Sequence, residues 1–179
     1  MGYGWEGETV RLVPLDKEKH IKNALAWLND ADVTAWTLTG DFPVSRFIEE
    51  DFFDRMLNQP APHPTDVVFA VETLAGEEHI GFSGIHRIEW RHGVAVTGTT
   101  IGAKHRSKGY GSDAALTRTR YAFDVLGLRI LLSEVMADNT ASLRMLQKAG
   151  YAEVGRIPRR YWKRGSYRDA IIMTIERPA

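Results

Sequence analysis

The segment Ile101–Ser112, IGAKHRSKGYGS, is where residue types and spacing most plainly promise chemistry. An extended run ends, the polar stretch AKHRSK follows, and Gly109-Tyr110-Gly111 then opens a helix. Glycines at such a turn carry no Cβ, so backbone N–H groups can approach a ligand closely. The first N–H groups of a helix lack partners within it, and the helix dipole places positive charge there. Together these favour an anion. A diphosphate is the expected guest, with Arg106 and Lys108 adding side-chain charge beside it.

Other phosphate loops fit less well. A Walker-type loop requires lysine and then Ser/Thr after the second glycine, whereas here the lysine precedes the glycine. GYGSDA matches the G-x-G-x-x-A dinucleotide fingerprint. That motif, however, follows an apolar strand almost directly, near the start of a βαβ unit. Here AKHRSK intervenes and three extended segments come before it.

Arg106-x-x-Gly109-x-Gly111 resembles the Q/R-x-x-G-x-G/A coenzyme A loop of the GNAT acetyltransferases. Asn139-x-x-Ser142 followed by LRMLQKAGY is similar to the N-x-x-S…K-x-G-F/Y segment of that superfamily. Trp27-Leu28-Asn29-Asp30-Ala31-Asp32-Val33 resembles a stretch of its RimJ/RimL branch, as does the final hairpin GRIPRRYWKRGSYRDAIIMTI. The resemblance covers essentially the whole chain as one domain, residues 1–179.

The resemblance implies acetyl-CoA as cosubstrate and an amine as acceptor. It implies a sheet splayed between its fourth and fifth strands, Thr97–Ala103 and Ile130–Asp138, to admit the pantetheine arm. The arm would pair with backbone near Ile101, Gly102 and Ala103. The pyrophosphate would sit on the amides of Arg106, Ser107, Lys108, Gly109, Tyr110, Gly111 and Ser112. Asn139 would bind the pantetheine by its side chain, although asparagine is also a good cap for the helix starting at Thr140.

Acetyl transfer needs a neutral amine, a polarised thioester carbonyl and a proton for the departing thiolate. Many relatives supply that proton from a tyrosine seven residues beyond the asparagine; here the position is Leu146. In the RimL-type branch a serine three residues beyond it is implicated, and Ser142 stands there. The alternative is a helix-face serine bonding back to a carbonyl one turn earlier. A glutamate often found just before the Ile-Gly of the loop strand is replaced by Thr100, which cannot act as a base. Glu134, on a strand expected to be central, is the candidate base, against a purely structural hydrogen bond. His86 and Asp169 are further candidates, their bland readings being a satisfied strand histidine and an ion pair with Arg168.

An α-amine with a pKa near ~7.8 costs roughly 1 kcal/mol to neutralise at pH 7, and a lysine near ~10.4 about 4.6. Lacking an evident base, the sequence favours α-amines or other low-pKa amines, with polyamines left open. Trp36, Phe42, His86, Tyr161 and Trp162 are expected around the acceptor, or else in the core. No histidine pair has metal-ligand spacing, so no metal is expected.

Positioning these residues requires an alternation of strands and helices. Asp16 and Ser45 read as helix caps, with Ile21, Ala24, Leu25 and Leu28 on one helical face and Ile48, Phe52 and Met56 on the next. Asp66–Leu74, His79–Trp90 and Val94–Gly102 read as an antiparallel meander, followed by a helix from Gly111 to about Leu126. Ile130–Ala137 reads as a strand covered on both faces. Thr140–Ala149 is a helix stopped by Gly150, and a strand pair across KRGS closes the chain. The fold class is mixed α/β, mostly antiparallel, with helices on both faces.

Composition sets outer bounds. The 179 residues carry 23 basic and 23 acidic side chains, which disfavours nucleic acid as a partner. No apolar run reaches the ~18 residues of a membrane span, and the start lacks a signal peptide's pattern, so a cytoplasmic location is expected. Zero cysteines exclude thiolate nucleophiles. A homodimer is an open expectation from the resemblance alone. The rival functions are an acyl-CoA-binding regulatory domain without turnover and, more distantly, a dinucleotide-dependent oxidoreductase.

Overall fold

The computed structural model describes residues 5–38 and 41–178. β1 (Val10–Pro14) leads into α1 (Lys17–Leu28), whose first turn is capped by the Asp16 carboxylate on Lys19 N–H. A one-turn helix, α2 (Ala31–Thr34), follows under an Asp30 cap and was not foreseen. Its brevity leaves no periodic apolar face to read. Ser45 caps α3 (Arg46–Leu57) as expected. Its inner face, however, is Glu49 and Phe53, while Ile48 is exposed.

The expected meander is present as β2 (Val67–Thr73), β3 (His79–Glu89) and β4 (Val94–Ile101). A short 3-10 turn at Ala103–His105 leads to α4 (Tyr110–Asp124), then β5 (Ile130–Met136) and α5 (Thr140–Lys148). β6 (Ala152–Lys163) and β7 (Ser166–Glu176) form the last hairpin. Arg164 and Gly165 both have positive φ, 49° and 78°, as a tight two-residue hairpin turn requires.

The seven strands make one sheet in the order β1-β2-β3-β4-β5-β7-β6. All neighbours are antiparallel except β4 and β5, which pair in parallel only from Val94–Ile130 to Val96–Leu132. Beyond that rung β4 continues to Ile101 and β5 to Met136 without pairing. The sheet is therefore splayed where the resemblance placed it.

Side-chain alternation assigns the two faces. Odd positions of β4 and β5, among them Ala95, Leu131 and Val135, join Ala115, Ala122 and Leu146 in the core beneath α4 and α5. On the opposite face α1 and α3 cover β2 and β3 through Ile21, Ala24, Phe53 and Ala70. Those helices stop short of β5, whose even residues Ile130, Leu132 and Glu134 are only half-buried. The expectation of a β5 covered on both faces is thus corrected. On that face residues 130–134 are left partly open, while Met136 is buried.

Candidate active site

The glycine loop before α4 has the local structure the sequence suggested, with two differences. Gly109 has φ 85°, caps α4 without a side-chain bond, and has no protein atom within 4 Å of where a Cβ would lie. Asp113 N–H donates to Gly109 O at 3.1 Å, so the N–H groups of Tyr110, Gly111 and Ser112 precede the first bonded turn of α4. Ser107 also has positive φ, and Ser107 and Lys108 are exposed beside this helix end. Gly111 serves packing instead: a Cβ there would sit 3.0 Å from Met145 Sδ. Arg106 is engaged by the chain, its Nε donating to Ile101 O at 3.1 Å and its Nη1 to Asp32 O at 3.0 Å. Gly102 lies against Trp27, whose Nε1 would be 2.6 Å from an added Cβ.

At the splay, hydroxyl groups take over from the ladder. Thr97 Oγ1 donates to Leu132 O at 3.0 Å, and Ser133 Oγ donates to Thr97 O at 2.9 Å. Gly102 N–H donates to Ile80 O, so even positions of β4 turn their backbone groups to β3 and odd positions turn theirs to the opening. Ile101 O is taken by Arg106, which leaves the Ile101 N–H and the backbone of Thr99 facing the gap. Behind them lies Arg118, fully buried on α4. Its Nη1 donates to Thr99 Oγ1 at 2.7 Å and its Nη2 to Tyr151 OH at 3.3 Å. Hydroxyls, not a carboxylate, satisfy this cation, and its Nε has no partner.

Asn139 Oδ1 accepts Ser142 N–H at 3.1 Å, so the capping role is real. Ser142 is half-buried, and among the described residues its hydroxyl makes no bond back along α5. Leu146 on the same helix is core, at 1% exposure.

On the opposite face Glu134 is not isolated. Its Oε1 accepts from Arg160 Nε at 3.0 Å and from Tyr161 OH. Burial and then the hydrogen bond to Glu134 push the Tyr161 phenol up, which keeps it a donor. His86, on this same even face of β3, pairs through Nδ1 with Asp66 Oδ1 at 2.9 Å. Asp169 does not pair with Arg168 as expected. It pairs with Arg156, and Arg168 reaches Asp138, because neighbouring strand residues point to opposite faces.

The aromatic residues proposed for the acceptor, or for the core, separate. Trp36 is partly exposed just after α2, with the Arg168 guanidinium 5.7 Å from its ring centre. Phe42 is 81% exposed beside Asp41, which binds Lys163 of β6 at 2.5 Å. Tyr161 reaches Glu134. Trp162, the next residue on β6, stands away from Glu134 and packs edge-on against Tyr167. Neither Trp36, Phe42 nor Trp162 is core, since each belongs to the hairpin or to the loop it touches. Asp66, Gly84, Gly98 and Thr99 were missed; the in-strand glycines were the available signal, because such positions mark close approach.

A seven-stranded mixed sheet parted after the parallel rungs of β4 and β5, with a helix end lacking a side-chain cap at the mouth, defines the GNAT class. Residues 9–152 match the acetyltransferase (GNAT) domain family, and the chain belongs to it. Among curated relatives, the chain is 29% identical to the uncharacterized N-acetyltransferase YoaA of Bacillus subtilis over 110 residues, 62% of each chain. A p20 N-acetyltransferase of Bacillus licheniformis matches over 49% of its length, so these two are spanned for less than two thirds. The spermidine N(1)-acetyltransferase of Escherichia coli is 26% identical over 93% of this chain and 86% of its own. The fold superposes on the Vibrio cholerae spermidine N-acetyltransferase solved with CoA and spermine, with TM-score 0.84, 19% identity and 93% and 95% coverage. A Bacillus anthracis GNAT acetyltransferase gives TM-score 0.80 at 18% identity, covering 96% of both chains.

Proposed function

We propose that this chain, acting as one catalytic unit, transfers an acetyl group from acetyl-CoA directly to a primary amine in the manner of the RimJ/RimL branch. The observation that carries this reading is the fork after Val96 and Leu132, with open backbone on β4 and an uncapped α4 at its mouth. The free amides of Tyr110–Ser112 suit a diphosphate, and Lys108 adds charge from the rim. Thr99 and Ile101 offer backbone partners to an extended amide-bearing arm, and Asn139 keeps its Nδ2 for the same arm. Ser142 is the hydroxyl placed to hydrogen-bond a departing thiolate. Glu134, held by Arg160 and Tyr161, supplies fixed negative charge for an ammonium group.

The acceptor classes are a protein N-terminal α-amine, a polyamine such as the relatives' spermidine, and other small amines. The hairpin that walls the cleft carries Arg156, Arg159, Arg160, Lys163, Arg164 and Arg168 against Glu153, Asp169 and Glu176. This positive excess disfavours a polycation and favours a singly charged amine. No helix among the described residues is long and apolar enough to cross a membrane, and a cytoplasmic setting fits that.

The test is acetyl-CoA with a panel of N-terminal peptides, polyamines and small amines, following free thiol. Turnover with intersecting initial-rate lines supports direct transfer. Thiol release with no amine, or parallel lines, overturns direct transfer, and no thiol release with any amine of the panel leaves a binding domain.

A further inference from the structure

We propose that His86 is the general base that takes the proton of the acceptor ammonium, with Asp66 as its positioning residue and the facing glycines Gly84 and Gly98 clearing the space. This rests on the acetyl-transfer reading above.

The first observation is the pair itself. Asp66, the residue before β2, lies beside His86 on β3, and the His86 Nδ1–Asp66 Oδ1 distance is 2.9 Å. An ionised carboxylate only accepts hydrogen bonds, so Nδ1 carries the proton and donates it. In the neutral imidazole the lone pair is then on Nε2. Among the described residues Nε2 has no partner.

The second observation concerns where Nε2 lies. A Cβ added at Gly84 would overlap His86 Nε2 and come within 2.6 Å of its Cε1. The imidazole thus lies flat along β3, in the space that any other residue at 84 would fill. Gly84 pairs in register with Gly98 on β4. A Cβ at Gly98 would meet nothing within 4 Å, and Gly98 is exposed. Gly98 comes two residues after the last rung between β4 and β5, beside the open backbone of Thr99. Facing positions on paired strands have Cβ sites ~4.5–5.5 Å apart, so Nε2 looks across one bare strand pair to the fork.

The chemistry follows. A primary ammonium bound over Gly98 gives one proton to His86 Nε2, leaving a neutral amine and an imidazolium that Asp66 stabilises. The nitrogen lone pair then forms the C–N bond as the C–S bond breaks, and the nitrogen's second proton goes to sulfur. The imidazolium returns its proton to water, so ammonium and thioester become amide, thiol and one released proton. Glu134 shares this face, but its Oε1 is already held by Arg160 and Tyr161. A pair that merely tied β2 to β3 would need neither the free Nε2 nor the glycine beneath it.

The experiment has three arms. Long-range nitrogen–proton NMR of the protein without acetyl-CoA should show His86 with hydrogen on Nδ1. Asp66→Asn, whose amide can donate to Nδ1, should move it to Nε2. With an aliphatic amine, His86→Ala should lower kcat/KM by ~10²–10⁴-fold, and with an aromatic amine already neutral at pH 7 by less than ~10-fold. Gly84→Ala, which leaves His86 in the chain but takes its seat, should show the same contrast between amines. Asp66→Asn should cost activity alone and nothing more in the His86→Ala background. An Nε2–H tautomer in the wild type, equal losses with both amines, or full activity in His86→Ala overturns the assignment. If the wild type acetylates no amine, the reading beneath it falls too; turnover undiminished by His86→Ala sinks this inference alone.

Discussion

Asn139 and Ser142 are joined by a 3.1 Å bond from the Ser142 backbone N–H to Asn139 Oδ1, which caps α5 and leaves the Nδ2 of Asn139 directed elsewhere. The cap uses Oδ1 alone, so the contact proposed for Nδ2 is separable from it. Serine is about as good a cap as asparagine but has no amide donor. Asn139→Ser should keep thermal stability within ~0.5 kcal/mol. It should weaken CoA binding about 2- to 10-fold, the worth of one neutral hydrogen bond. Calorimetric titration beside a thermal melt decides it, and unchanged affinity would leave Asn139 a cap alone.

Asp113 ties β1 to the first turn of α4. Its carboxylate accepts from Glu8 N–H at 3.0 Å, Thr9 N–H at 2.7 Å, Thr9 Oγ1 at 2.9 Å and Val10 N–H at 3.0 Å. Burial works to raise its pKa, but these donors outweigh burial and hold it below the ordinary aspartate range. The folded pKa lies beneath the unfolded one, so the added stability is present above about 3.9, the unfolded value, and fades as pH falls toward the folded one. Asp113→Asn should cost ~1–2 kcal/mol at pH 7. In urea titrations the gap from wild type should narrow below about pH 4. A gap constant from neutral to strongly acid pH would contradict this.

The two loop glycines should fail differently. Gly109→Ala meets a left-handed backbone, costing ~1–2 kcal/mol, and puts a methyl into space that the chain leaves empty. The fold should survive while CoA affinity drops at least ~10-fold, since the helix-end amides lose their close approach. Gly111→Ala should be near neutral in both. The flexible Met145 must move by a few tenths of an ångström, and alanine's helix propensity offsets that by ~1 kcal/mol. Equal affinities for the two variants would remove Gly109 from ligand binding.

Much of this arrangement could be read before any coordinates. The apolar period set the helices, the glycines of the loop announced a helix end open to an anion, and Asn139 before Thr140 read as the cap of α5. What escaped depends on distance along the chain. Asp66 and His86 meet only because β2 and β3 pair in one particular register, and a slip of one residue would send them to opposite faces. Arg106 shows its charge locally, whereas its bond to Asp32 O, 74 residues away, is visible only in the fold. Glu134 looked buried because its strand is apolar. The missing cover over β5 follows from where α1 and α3 end, which no feature of β5 itself records. α2 is too short to show a period.

Arg106 has a consequence for traffic between the two halves of the cleft. Its guanidinium bridges Ile101 O, at the end of β4, and Asp32 O in α2, which leads on to Trp36. On the function proposed above, a ligand that drew this cation toward its phosphates would break the bond to α2, and one that shifted α2 would free Arg106. Coupling of this kind is reciprocal, so whatever factor the first substrate applies to the affinity of the second is returned in equal measure.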